Sequence, residues 1–233
     1  KAKEGIRSHF ETQPESSYDF FWDLVGPVQG LRVLDVGCGD GWVTMSLAKK
    51  GAQVSGIDIS DELINTAQQW AEREHFQESA SFYVMATEDL RFPESSFDLV
   101  IGSAILHHTD IELSVRSIHR VLKQGGRGVF IEPMNQNFVL KFWRAMTPNR
   151  RTPTERALTS KDLNMILDVF PHSNRHFFKL ASIFTVGLKI FFPKSGFIKR
   201  LNQIVENMDT HILSAFPSLG KYCAVVVLDL RKL

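Results

Sequence analysis

Cysteine is scarce in this chain. Two occur in 233 residues, Cys38 inside a glycine-rich turn and Cys223 in a late apolar run, and neither has a neighbour at metal-ligand spacing. That excludes a disulfide framework and a cysteine-based metal centre, and it is the usage expected of a cytoplasmic protein. Net charge is nearly absent as well: 27 Lys and Arg stand against 26 Asp and Glu, leaving +1. A nucleic-acid partner is therefore disfavoured, and any such contact would rest on a local basic patch. Internal repeats, low-complexity tracts, a P-loop and a nucleophile elbow are all missing. So is a clean membrane span. The greasiest stretch, residues 176 to 193, is at the lower limit for crossing a bilayer and is interrupted by Lys179, Gly187 and Lys189.

What remains is an ordinary globular composition, 43% hydrophobic and 23% charged, at a length that suits one domain with a cap or insertion. Its organising stretch is residues 32 to 41, Arg-Val-Leu-Asp-Val-Gly-Cys-Gly-Asp-Gly. Val33, Leu34 and Val36 suit a strand buried on both faces. Gly37, Gly39 and Gly41 then permit positive φ and close backbone approach to a ligand. A helix follows from about Gly41 to Lys50, so the turn is expected to leave amides open toward a cleft. One helix length later the apolar run Gln53 to Ile57 ends in Asp58. In doubly wound sheets an acidic side chain at that place accepts hydrogen bonds from a ribose. The spacing Gly-x-Gly-x-Gly, and Asp35 inside the first strand, both point away from a dinucleotide.

The alternation continues. Ser60 caps a helix with Asp61 and Glu62 in its first turn, Ala80 to Met85 reads as a third strand, and a fourth runs through Phe97 to Ile101 with Gly102 and Ser103 at its carboxyl end. A helix after Asp110 ends at Gly125-Gly126, and a fifth strand, Arg127 to Ile131, delivers Glu132 to the same edge. Five alternating strands and helices make a parallel, doubly wound α/β sheet the economical fold.

Val33 to Gly41 resembles motif I of the class I S-adenosylmethionine-dependent methyltransferases, and Asp98-Leu99-Val100 with Leu106-His107-His108 resembles motif IV and its sequel. The likeness covers residues 30 to 135 well and the rest in outline. It implies a seven-stranded, mostly parallel sheet with an antiparallel last strand, S-adenosylmethionine as cofactor, and no metal. In its terms Asp35, Gly37, Cys38 and Gly39 approach the methionine part, Asp58 and Ile59 the ribose, Thr87 and Glu88 the adenine, and Ser103 the methionine end. Many relatives carry an acidic residue where this chain has Ala86, so a carboxylate for the adenine comes from Glu88 or Asp89, or is absent.

His107 and His108 are candidates for a general base that takes the proton of an attacking hydroxyl. The alternative is that one packs behind the cofactor and the other caps the next helix. Glu132 is either a substrate-facing carboxylate or a loop anchor.

The flanks are read as follows. Residues 1–30 form a helical lid, with Tyr18 and Trp22 at i and i+4 on one face and offered to the substrate, or a helix packed by its aromatics on the sheet. Residues 31–135 are the cofactor-binding core. Segments 136–158 and 185–216 are cap insertions, the first presenting Trp143 and Arg144 to the substrate. Segments 159–184 and 217–233 complete the sheet, with a sixth strand at about 178 to 184. The stripe Ile198, Leu201, Ile204, Val205, Met208, Ile212 and Leu213 is core or a homodimer face. The expected activity is methyl transfer to a small-molecule acceptor, lipidic or anionic, through oxygen or carbon, with peripheral lipid contact by the greasy segment as a sharper alternative. The rivals are an RNA or protein acceptor docked on the basic stretch from Lys141 to Arg156, and a non-catalytic cofactor-binding protein.

Overall fold

The computed structural model describes residues 15–141, 156–192 and 194–233. Trp143 and Arg144, the two substrate candidates of the first insertion, lie outside the described residues, as do the lid segment's first 14 residues. In chain order the elements are α1 (Glu15–Val25), β1 (Arg32–Val36), α2 (Trp42–Ala48), β2 (Gln53–Asp58), α3 (Asp61–Arg73), β3 (Ala80–Val84) and β4 (Phe97–Ser103). Then come α4 (Ile111–Val121), β5 (Leu122–Pro133), α5 (Ser160–Val169), β6 (Asn174–Phe178), α6 (Ile183–Phe191), α7 (Gly196–Ala215) and β7 (Val225–Arg231).

The strands form one seven-stranded sheet in the order β3-β2-β1-β4-β5-β7-β6. β7 is antiparallel to both its neighbours, and the other ladders are parallel. Period-two alternation sends successive side chains to opposite faces, which builds two cores. Leu34, Val36, Val100, Phe130 and Leu228 meet α4 and α5 on one face. Val33, Leu99, Ile101, Val129 and Val227 meet α1, α2 and α3 on the other. Because both faces are covered, the inner strands read as unbroken apolar runs. The strand order reverses between β1 and β4, and at such a switch point the loops leaving the two strands part and open a crevice at the carboxyl edge.

Two expectations shift. The helix after Asp110 stops at Val121, not at the glycines, because buried Leu122 adopts extended backbone and pairs with Phe97. The sixth strand is Asn174–Phe178, not 178 to 184: Lys179 takes a left-handed φ of 63°, the chain turns, and the greasy run that follows becomes α6. The first helix packs on the sheet, with Phe21 and Val25 buried in the second core.

Two excursions stand on the carboxyl edge. Met134 and Leu158 pair in an isolated parallel bridge, so the chain leaves and rejoins beside the end of β5. The segment from α6 through α7 to the turn Pro217–Tyr222 connects β6 to the start of antiparallel β7, which is the same edge. Asn137 ties the two together, donating from Nδ2 to the Leu180 and Tyr222 carbonyls.

The pivot of the second excursion is Asp209. Its carboxylate accepts from the Leu180, Ala181 and Ser182 amides at 3.0, 2.9 and 3.0 Å and from the Ser182 hydroxyl at 2.7 Å. Asp209→Ala strands those donors, and at about 1 kcal/mol or more per buried unsatisfied group the variant should lose about 2 to 4 kcal/mol in denaturant unfolding. A loss below about 0.5 kcal/mol, the level of an ordinary surface change, would remove Asp209 from this role.

Candidate functional site

At the carboxyl end of β1 the chain turns through Gly37 and Gly39, with φ of +68° and +57°. A Cβ on Gly37 would lie 2.6 Å from Ile105 Cδ1, whereas beside Gly39 nothing stands within 4 Å. The first glycine lets the turn close against the loop after β4; the second leaves an open place on the crevice side. The turn's amides are not free as expected: Cys38 N–H donates to Ile57 O, Gly39 N–H to Asp58 Oδ2 at 3.0 Å, and Gly41 N–H to Cys38 O. With those donors committed and a following helix of only seven residues, the turn contributes close approach in place of anion-binding amides.

Asp58 ends β2 and receives two amides, Gly39 on Oδ2 and Ser60 on Oδ1 at 2.9 Å. An ionised carboxylate has about four lone-pair positions, so two remain for ribose hydroxyls. Ile59 beside it is 78% exposed. An apolar side chain held in solvent next to a ribose acceptor is a surface for a planar base. Across the crevice Thr87 is buried. Glu88 has other work: Oε1 accepts from the Asp110 amide at 3.0 Å, and its carbonyl accepts from Ser117. Through Oε1 it fastens the start of α4. The acceptor carboxylate of Asp58 and the exposed apolar side chain of Ile59 together fit an adenosyl group.

Beyond β4 stand a strained residue that no sequence pattern marks and the carboxylate that anchors it. Ala104 takes φ +54°, a left-handed conformation costly for a residue with a Cβ. The strain is held by Glu132, 1% exposed at the end of β5. One oxygen, Oε1, accepts from both the Ile105 and Leu106 amides at 2.9 Å, and Oε2 lies 2.8 Å from His107 Nδ1. Glu132 is thus the loop anchor and does not itself face an acceptor. Its bond to Nδ1 selects the tautomer that leaves Nε2 as the basic nitrogen. His107 is buried, with its ring 4.0 Å from that of exposed His108.

Tyr18 and Trp22 separate. The α1 axis runs down the sheet from the carboxyl edge, so one turn moves a side chain about 5 Å away from it. Tyr18 Oη lies 2.9 Å from Ser103 Oγ, at the site. Trp22 packs on Phe21 and under Lys50, which follows α2 at the opposite edge. Burial raises the Tyr18 pKa, the Ser103 bond opposes the rise, and the charge of Glu132 adds to it.

Below the turn, Asp35 is buried on the α2 side and accepts from Thr44 Oγ1 at 2.7 Å. Burial pushes its carboxyl up to about 7, against the Thr44 hydrogen bonds and with some help from the charge of Asp58. Burial, then Asp35 and Asp58, also drive the Cys38 thiol far upward, so it is an inert neutral group.

Residues 34–130 match the family model described as "Methyltransferase domain". A ubiquinone biosynthesis O-methyltransferase from Xanthomonas oryzae pv. oryzae is 34% identical over 153 residues, 64% of this chain and 55% of the relative. The chain thus spans about half the length of the curated relatives it matches. Among solved structures, an S-adenosylmethionine dependent methyltransferase from Mesorhizobium loti superposes with a TM-score of 0.61 at 16% identity, covering 92% of this chain and 96% of the other. The geranyl diphosphate C-methyltransferase from Streptomyces coelicolor A3(2), solved with S-adenosyl-L-homocysteine, gives 0.62 at 15%, covering 92% and 79%. At such identities these two structures speak for the fold alone.

The Asp35 carboxyl has a signed consequence. Its folded value of about 7 stands above the ordinary 3.8, so between those values the unfolded chain has lost a proton that the folded chain keeps. Stability from this group therefore falls as pH rises from about 4 to about 7, by at most about 4 kcal/mol. Asp35→Asn should flatten that part of the curve in denaturant unfolding at several pH values. Parallel curves for both proteins would refute the shift.

Proposed function

Residues 34–130 carry a methyltransferase domain of the class I type, and from that premise we propose that the chain transfers a methyl group from S-adenosylmethionine to a hydroxyl oxygen of a small, apolar acceptor. The observation that carries the reading is the buried Glu132–His107 pair at the edge of the switch-point crevice. Support for oxygen comes from the 34% identical relative named an O-methyltransferase. The greasy segments around the crevice favour an apolar acceptor.

When bound, the cofactor supplies an electrophilic methyl on a sulfonium, which leaves the protein little covalent chemistry. Asp58 takes ribose hydroxyls on its remaining lone pairs, and Ile59 gives the base an apolar surface. Gly39 lets the methionine part lie against the backbone. Ser103 and Tyr18, both hydroxyls, mark the methionine end. As the acceptor oxygen gains the methyl, its proton passes to His107 Nε2, because Glu132 holds Nδ1. Glu132 positions the base and its loop; His107 is the catalytic residue. The rival reading of an RNA or protein acceptor loses one of its cations, since Arg156 forms a two-pronged pair with Asp162 at 3.2 and 3.0 Å.

Asp58→Ala should weaken S-adenosylmethionine binding in calorimetry at least about tenfold, some 1.4 kcal/mol. Unchanged affinity in a folded variant would sink the assignment. In a labelled methyl-transfer assay on hydroxylated apolar acceptors, His107→Ala should cut turnover by on the order of 10²-fold or more while cofactor affinity holds. Glu132→Gln presents an amide N–H or a weaker acceptor to Nδ1, so turnover should fall and its pH profile move. Equal loss of turnover and cofactor affinity in both variants would make the pair merely structural.

A further inference from the structure

Helix α7 is built inside out. Its buried positions include Asn202 and Asp209, and these polar groups serve the protein. Asp209 caps the start of α6, and Asn202 Oδ1 lies 2.5 Å from the buried Thr185 hydroxyl. Ile198 is buried beside them, but three apolar residues point the other way. Phe197 is 75% exposed, Ile204 58% and Met208 52%. Spaced by seven and then four, they share one stripe across from Asn202. Between Ile204, Asn207, Met208, His211 and Ile212 that side holds a groove of about 450 Å³. On and after α6, Phe184 and Phe192 are also exposed. The orientation is no accident of loose packing, because turning α7 over would strand the donors that Asp209 accepts.

The charge around this apolar stripe is mostly positive. Residues 179–222 contain six Lys or Arg against two Asp or Glu, in a chain whose total is only +1. One of the two acids, Asp209, is buried in the helix cap, and one of the six cations, Lys179, is buried as well. Lys194 and Arg200 are exposed beside Phe192 and Phe197, while exposed Lys199 lies on the far side of the helix from the stripe. Aromatic and aliphatic side chains for the acyl boundary, among cations for acidic headgroups, make the chemistry of an interfacial helix. A second copy fits less well, since a two-fold contact would set this cationic stripe against itself. No helix among the described residues is long and apolar enough to cross a membrane, which leaves lying on the surface.

We propose that the exposed face of α6 and α7 docks the protein on the surface of an anionic phospholipid bilayer. The two helices stand on the same edge of the sheet as the crevice, so docking brings that edge toward the lipid. The proposal does not need methyl transfer, and its test uses neither cofactor nor acceptor.

The test is flotation of the full chain with vesicles of phosphatidylcholine alone or mixed equally with phosphatidylglycerol. The chain should float with the anionic vesicles at low salt, stay behind with the neutral ones, and detach as salt rises. Phe197→Ser should weaken binding about tenfold through lost burial, and Lys194→Gln with Arg200→Gln at least about tenfold through lost headgroup attraction. These sites are exposed, so melting curves should match the parent and folding is not in question. Three results would overturn the proposal: no flotation with anionic vesicles, flotation indifferent to both substitutions, or a solution dimer that Phe197→Ser dissociates. The last would hand the face to a second copy.

Discussion

The carboxylate of Glu132 is the constraint on which the working edge depends. Buried at the end of β5, it gathers the Ile105 and Leu106 amides and His107 Nδ1. Removed from water, a carboxylate needs such donors, and the donors need it in turn. The result is a tight loop after β4, with strained Ala104 at its start and Ile105 seated against Gly37. Asp58 does the same for the glycine turn through Gly39 and Ser60. Two acidic side chains thereby shape both walls of the crevice that the reversal of strand order opens.

Much of this was legible in the chain. Unbroken apolar runs mark strands covered on both faces, so β1 to β4, and the helices capped by Ser60 and Asp110, stand where the residues place them. Asp58 at the end of β2 follows from the same pattern. Long-range pairings were not legible. Nothing local ties Glu132 to His107, 25 residues earlier, or Tyr18 to Ser103 across 85. Greasy residues misled twice. Phe178 to Phe184 looks like strand, yet its ladder ends at Phe178 opposite Val225 and the rest coils into helix. The glycines after α4 look like its stop, yet Leu122 already belongs to the sheet.

Helix α7 shows the limit of periodicity from another side. Its apolar stripe has the spacing of a core or dimer face, and the structure splits it: Ile198 is buried, Leu201, Val205, Ile212 and Leu213 are half-buried, and Ile204 and Met208 are exposed. Which face turns inward was decided by hydrogen-bond demand at the start of α6, a quantity that hydrophobic spacing does not encode. A carboxylate that satisfies three amides and a hydroxyl together offsets the cost of leaving several apolar side chains wet, since a stranded donor and a wet aliphatic each cost about 1 to 3 kcal/mol.

The contact between Tyr18 and Ser103 links regions otherwise far apart. Helix α1 reaches the crevice through one hydroxyl pair, and Ser103 is where the methionine end is expected. A ligand that claims the Ser103 hydroxyl must share it with Tyr18 or take its place. Thermodynamic reciprocity then makes the N-terminal segment a participant in affinity: whatever fastens or loosens α1 changes ligand binding, and ligand binding changes α1 by the same factor.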